Sequence, residues 1–491
     1  MTTEALHPYA AVHETHTAVV VLLGDRAYKT KKPVDLGFLD FSTAELRHEA
    51  CARELALNRR TAPDVYLGLG HLDQPGRPSE TAVVMRRMPE DRRLSTLVAA
   101  GAPVGDELRA VARQLAVFHL RADRHPVLQE QAGRDALRQR WRDSISQVLS
   151  LDVVDAPTVQ RLAELVETFM AGRTELLDQR IAAGHVLDGH GDLQAEDVFC
   201  LADGPRILDC LEFDDALRHV DQLDDAAFLA MDLERLGDAA AGSAFLDAYV
   251  ELTGDPAPAA LRDHYVAYRA FVRAKVACLR VSQGDDASRR TADQLTRLAL
   301  RHLERGAVRL VLVGGLPGTG KTTLASAVAD EHGYVVMSSD RVRKELAGLS
   351  PEQPAPAAYG EVLYDAGATS ATYATLLDRA RRLLARGESV VLDASWTDAD
   401  QRAAARALAR DAHAELVEVR CYAPAAVASM RLRTRAPGAS DADDRVADTM
   451  AGREDSWPSA TVVPTTGPLV DAVAGVTTLL HSPPPVLSGA R

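Results

Sequence analysis

Cysteine is scarce in this chain of 491 residues. Cys51, Cys200, Cys210, Cys278 and Cys421 are scattered, odd in number and free of any C-x-x-C pair. That argues against a disulfide framework and for small buried thiols in a reducing cytoplasm. Long apolar runs are missing too: none exceeds the six residues of Ala18–Leu23, against about 20 for a membrane-crossing helix. The opening residues lack the basic and apolar segments of a secretory signal, so the expectation is a cytoplasmic protein with no membrane partner. Positive charge is short, with a formal net charge of −14. That opposes broad, non-specific nucleic-acid binding while leaving room for a local basic groove. Lysine is scarce as well: of 56 Lys and Arg residues only Lys29, Lys31, Lys32, Lys275, Lys321 and Lys344 are lysines. In so arginine-rich a chain, a lysine marks places where a compact, flexible ammonium is wanted.

What is present is a soluble globular balance, 46% hydrophobic and 26% charged. The length suits two or three domains of roughly 100–200 residues each. Residues 14–34 read as a hairpin turning at Gly24-Asp25, 43–60 as a helix and 81–89 as a strand. Residues 106–120 and 157–183 read as helices. A polar loop at 188–197 precedes a short strand at VFCLA, a turn at Asp203-Gly204 and a strand at RILDCLEF. From 216 to 303 the pattern is helical almost throughout. Near Gly306 the texture changes: AVRLVLVGG, YVVMSSD, ESVVLDASW and AELVEVRCYA are apolar strands alternating with helices, the pattern of a doubly covered parallel sheet. The boundary is placed at about 304, and the Pro-rich tail SPPPVLSGAR is expected to be loose.

The C-terminal half carries the sharpest motif. Gly315 through Thr322, GLPGTGKT, fits G-x-x-x-x-G-K-[ST] at every position. Gly315, Gly318 and Gly320 let backbone N–H groups, including that of Thr319, turn inward around phosphate oxygens. The helix carrying Lys321, Thr322 and Thr323 aims its positive end at the same anion. Lys321 reaches the β- and γ-phosphates and Thr322 ligates Mg²⁺. Asp340 ends the strand YVVMSSD, where a carboxylate can take a proton from an acceptor hydroxyl, and Arg343 lies one helical turn on. Asp393 ends VVLDASW, the place for a carboxylate that holds the Mg²⁺ water shell. For both aspartates a helix-capping role is the competing reading. Arg431 and Arg435 share a helix face and suit a lid that neutralises charge on a transferring phosphate, or else are plain solvated arginines.

Together GLPGTGKT, SSDRVR, VVLDASW and RLRTR resemble the small P-loop kinases: 5′-hydroxyl polynucleotide kinases, gluconate and shikimate kinases, and zeta-type toxins. The Asp340/Arg343 and Arg431/Arg435 pairs are most similar to the polynucleotide-kinase branch. The resemblance covers about 306–480.

In the N-terminal half, His190-Gly191-Asp192-Leu193 lies in a loop before a hairpin, and Asp209 follows on RILDCLEF. A phosphotransfer site needs one carboxylate near the acceptor hydroxyl and another on Mg²⁺, and this spacing brings such a pair together. Lys29 shares a strand face with Ala27, and Glu49 on the next helix can pair with it. Lys31, on the same face, is the rival. The constellation resembles the aminoglycoside phosphotransferase family of kinase-like folds over about 14–300. The resemblance implies Asp192 as catalytic base, Asp209 as Mg²⁺ ligand, and Lys29–Glu49 as the phosphate-positioning pair. It also implies Asp221 and Asp225 as structural members of the following helix, and a second metal ligand at Asp197. The family usually has Asn there. Three carboxylates around one nucleotide repel one another unless a divalent cation neutralises them, so a steep Mg²⁺ dependence is expected. His190 is read as a brace for the loop.

The fold class expected is therefore an α+β kinase-like domain over 1–303 followed by an α/β P-loop NTPase domain with a parallel sheet over 304–491. This order resembles bacterial fusions of an aminoglycoside-phosphotransferase-like domain with an AAA-type ATP-binding domain. The function implied is an ATP- and Mg²⁺-dependent kinase. Its acceptor is a hydroxyl of a small molecule or of a nucleic-acid 5′ end. The alternative is a nucleotide-binding regulator whose N-terminal module is catalytically silent. Oligomeric state is not legible.

Overall fold

Strands β1 (Ala10–Glu14), β2 (Ala18–Leu23), β3 (Arg26–Lys31), β4 (Tyr66–Leu72) and β5 (Glu80–Arg86) form an antiparallel sheet in the order β1-β2-β3-β5-β4. The structure is a computed structural model that describes residues 9–15, 17–35, 39–73, 79–125, 128, 133–350, 365–434 and 444–481. Alternate residues of β3 share a face, so Ala27, Lys29 and Lys31 lie on one side, with Ala27 and Lys31 buried. Helix Ala44–Asn58 begins where Thr43 accepts from Leu46 N, and it buries Arg47, Cys51, Glu54 and Asn58. Their 4-3-4 spacing is one stripe of a 3.6-residue period. Cys51, Ala27, Val65, Tyr66, Val83 and Met85 close the core beneath it.

Two antiparallel strand pairs follow: β6 (Val186–Asp188) with β9 (His219–Asp221), and between them the hairpin of β7 (Val198–Leu201) with β8 (Gly204–Ile207). The strand expected over RILDCLEF stops at Ile207, because Asp209 takes a left-handed conformation at φ 64°. Helices 222–235, 239–253, 259–282 and 288–305 occupy the stretch read as helical. The helix expected over 157–183 is two, Ala156–Gly172 and Thr174–Ala182.

Farther on, β10 (Arg309–Gly314), β11 (Val335–Ser338), β12 (Val390–Asp393), β13 (Glu415–Tyr422) and β14 (Thr461–Pro464) form a parallel sheet in the order β11-β12-β10-β13-β14. Every residue of β10 and β12 is buried, as expected of strands covered on both faces. Val313, Leu324, Val328, Val391, Val419 and Val476 fill the core on one side.

Contacts divide the chain into two units: residues 1–159, 178–257 and 265–300, and residues 160–177, 258–264 and 301–491. Within the second, Arg173 is 1% exposed. It donates to carbonyls of Gly172, Leu384, Ala412 and His413 at 2.5–3.1 Å. Leu384 and Ala412 end helices 366–385 and 399–411, where the negative dipole ends favour a cation. Burial alone pulls this guanidinium down to about 10. Arg173→Met leaves buried carbonyls unpaired and is expected to cost on the order of 2–4 kcal/mol. Urea unfolding of the full chain checks this, and an unchanged midpoint would contradict it.

Candidate active sites

In the C-terminal unit, β10 delivers the chain into the glycine loop. Gly315 has φ 139° and Gly318 φ 80°, backbone that L side chains rarely adopt. A Cβ on Gly315 would stand 2.7 Å from Thr319 Oγ1 and 2.8 Å from the Cys421 carbonyl. Thr319 Oγ1 donates to Leu316 O at 2.7 Å and closes the turn. Gly320 caps helix Lys321–His332, and Thr322 and Thr323 are exposed on its first turn.

Thr322 Oγ1 donates to Asp393 Oδ2 at 2.8 Å, while Asp393 Oδ1 is buried without a hydrogen-bond partner. Asp393 is not the cap of the next helix; Asp398 is. Burial pushes the Asp393 carboxyl up, with Lys321 and Thr322 opposing. An orphaned carboxylate oxygen beside a threonine hydroxyl, at the mouth of a glycine cradle, fits a hydrated Mg²⁺.

Asp340 lies in the first turn of helix Ser339–Leu346 rather than at a strand end, and the N-cap is Ser338, so the capping reading does not hold. Arg343 Nη1 donates to Asp340 Oδ1 at 2.9 Å. Arg431 Nη2 donates to Thr465 O at 2.7 Å, and Thr465 Oγ1 donates to Thr319 O at 2.5 Å. Arg431 is thus tied to the glycine loop through a threonine that sequence reasoning missed. Arg435 lies outside the described residues.

In the N-terminal unit, Lys29 Nζ meets Glu54 Oε1 at 2.9 Å and Asp209 Oδ1 at 2.5 Å. This corrects the expected Lys29–Glu49 pairing. Glu49 is exposed, whereas Glu54 is 0% exposed and lies on the buried stripe of its helix. The stripe Arg47, Cys51, Glu54, Asn58 was the signal that could have found it. Lys31 also reaches Glu54, at 2.6 Å, and Glu212 at 2.5 Å. Burial opposes charge on Lys29, but Asp209 and Glu54 more than offset it and hold the ammonium well above its usual range. Burial likewise pushes Glu54 up, and the two lysines override it. Desolvation is also the largest influence on Asp209, although 47% of its side chain stays open. Lys29 overrides it and holds the carboxyl below the usual range.

The loop between β6 and β7 is gripped from behind. Asp225 accepts from the backbone N–H of His190 at 2.7 Å and of Gly191 at 2.8 Å, and from His119 Nε2 at 3.0 Å. His190 is buried and donates from Nε2 to Leu208 O at 2.9 Å, bracing the loop. Asp221 binds Arg180 and accepts from Leu223 N at 2.8 Å, capping the helix that carries Asp225. Asp192 accepts from Gln194 Nε2 at 3.0 Å. Burial raises its carboxyl to about 6, with Arg273 opposing and Asp209 adding. Asp197 is held well above the carboxylate range by burial and by its neighbours Asp209 and Asp192. Among the described residues no group of three or more His, Cys, Asp or Glu could hold a metal ion. A cation here therefore needs phosphate or water oxygens to complete its shell.

A sequence family described as an AAA domain matches residues 310–455. The uncharacterized protein Rv2004c of Mycobacterium tuberculosis (strain ATCC 25618 / H37Rv) is 46% identical over 464 residues, 94% of this chain and 93% of that protein. The uncharacterized protein Mb2027c of Mycobacterium bovis matches with the same identity and coverage. Among solved structures, a choline/ethanolamine kinase family protein from Mesorhizobium loti is 16% identical, covering 61% of this chain and 94% of that one at a TM-score of 0.39. A gluconokinase from Sinorhizobium meliloti 1021 is 20% identical, covering 36% and 95% at a TM-score of 0.27. Among the described residues no helix is long and apolar enough to cross a membrane.

Proposed function

The chain belongs to the family of these mycobacterial proteins, and on that footing we propose that it is an ATP-dependent phosphotransferase with two nucleotide sites. The observation that carries the reading is the Thr322–Asp393 hydrogen bond with its unpartnered carboxylate oxygen, set at the foot of the glycine loop. Gly315, Gly318, Thr319, Gly320, Lys321, Thr322 and Thr323 hold the triphosphate through backbone N–H groups, an ammonium and hydroxyls. Bound Mg²⁺ would neutralise charge on the β- and γ-phosphate oxygens, held by Thr322 and Asp393.

Asp340 takes the proton of an acceptor hydroxyl. The freed oxygen attacks the γ-phosphorus, and the bond from that phosphorus to the ADP oxygen breaks. Arg343 holds Asp340 in place through its hydrogen bond, and Arg431 reaches the loop through Thr465. The acceptor is a small-molecule alcohol or a nucleic-acid 5′-hydroxyl.

In the N-terminal unit, Lys29 positions phosphates with Glu54 behind it, Asp192 serves as base, and Asp209 with Asp197 faces the cation. Asp340→Asn in the full chain is expected to lower phosphoryl transfer at the P-loop site about 10²–10⁴-fold, the usual general-base contribution. Nucleotide affinity should stay nearly intact. Titration with a non-hydrolysable ATP analogue beside a transfer assay separates the two. Equal loss of both would assign Asp340 to folding instead.

A further inference from the structure

The acceptor side of the N-terminal site is basic, and its basicity has an open member. Helix Ala259–Ser282 carries Arg269 and Arg273, four residues apart and so on one face, about 6 Å along the axis. Arg269 shows where that face points. It donates to Gly191 O, the residue before Asp192, at 3.3 Å, and is tied to the buried Asp224 at 2.7 and 2.9 Å. Its charge is therefore committed.

Arg273 is not committed. It is half-buried, and among the described residues it makes no hydrogen bond or ion pair. Its positive charge acts on Asp192, opposing the burial that raises that carboxyl. The neighbouring helix Arg134–Leu151 packs against another face of the same helix. Trp141, 0% exposed, meets Tyr268 at 5.2 Å and Phe271 at 5.6 Å, and Lys275 Nζ donates to Ser144 at 3.3 Å. Asp209, on the phosphate side, is governed by Lys29 instead.

A half-buried guanidinium without a carboxylate, one turn beyond the catalytic loop, is poised for an anion on the molecule that Asp192 deprotonates. It would repel a cationic acceptor by the same charge. We propose that Arg273 is the acceptor-anchoring residue of the N-terminal site, and that this site takes an alcohol carrying a phosphate or carboxylate group. The inference rests on the reading of Asp192 as the acceptor-side base.

The test uses the full-length chain with Lys321→Ala to silence the P-loop. Calorimetric titration with glycerol 3-phosphate, glycerate, glycerol and choline is run in the presence of a non-hydrolysable Mg·ATP analogue. ADP release with the same compounds and ATP is followed beside it. The two anionic alcohols should bind and glycerol and choline should not. Arg273→Gln should weaken anion binding at least tenfold, and Arg273→Lys should restore part of it.

In turnover, Arg273→Gln should raise KM for the anionic alcohol with kcat little changed. Anion binding that survives Arg273→Gln, or preference for choline, would overturn the proposal. So would a fall in kcat at constant KM, which would place Arg273 on the transferring phosphate. Arg273-dependent anion binding without any ADP release would uphold the anchoring site while removing Asp192 as a working base.

Discussion

Lys321→Ala in the full-length chain is expected to weaken Mg·ATP binding at the P-loop by roughly 10²–10⁴-fold. Lys321 heads helix Lys321–His332 from the cradle formed by Gly315 to Gly320. Among nearby groups it lowers the Asp393 carboxyl, so its charge already acts at the carboxylate proposed to hold the cation. Two charge-assisted hydrogen bonds to phosphate oxygens contribute about 1.5–3 kcal/mol each, and 1.4 kcal/mol is tenfold in affinity. Titration with a non-hydrolysable ATP analogue in an Asp209→Asn background isolates this site. Unaltered affinity would remove Lys321, and with it the loop, from the nucleotide site.

The second large effect belongs to Asp192. Asp192→Asn is expected to lower transfer from the N-terminal site about 10²–10⁴-fold while leaving nucleotide affinity nearly intact. The wild-type chain should also show an acidic limb. The base acts as a carboxylate, and burial raises Asp192 to about 6. Activity is therefore full above that value and falls as pH drops through it, because protonation removes the acceptor of the hydroxyl proton. A Lys321→Ala background keeps the P-loop site out of the profile. A limb near pH 4, or none, would mean that Asp192 does not carry the proton transfer.

Much of this was legible along the chain, and the reason differs by element. The glycine loop declared itself because its chemistry is local: three glycines, a lysine and a hydroxyl at fixed spacing, after a fully buried strand. Thr322 and Asp393 were nameable because a P-loop and the end of a parallel strand face each other once the sheet forms; Val313 and Asp393 share a register. Glu54 was missed because proximity along the chain pointed to Glu49, while burial on helix Ala44–Asn58 follows the stripe of Arg47, Cys51 and Asn58. RILDCLEF looked like one strand because its apolar pattern does not disclose the left-handed turn at Asp209. Arg173 interrupts a helical pattern for a tertiary reason, four carbonyls contributed partly by residues more than 200 positions away. Thr465 sits on the loop after β14, a strand too short to stand out, and its tie to Thr319 exists only in three dimensions.

The central claim, two phosphotransfer sites in one chain, is tested most directly by incubating the full-length protein with γ-labelled ATP, Mg²⁺ and a metabolite extract containing added 5′-hydroxyl oligonucleotides. The label is followed in wild type, Lys321→Ala, Asp192→Asn and the double variant. Label should enter organic phosphate products in wild type, fall in part in each single variant with different products lost, and reach background in the double variant. Label released only as inorganic phosphate, or labelled products that persist in the double variant, would contradict the account.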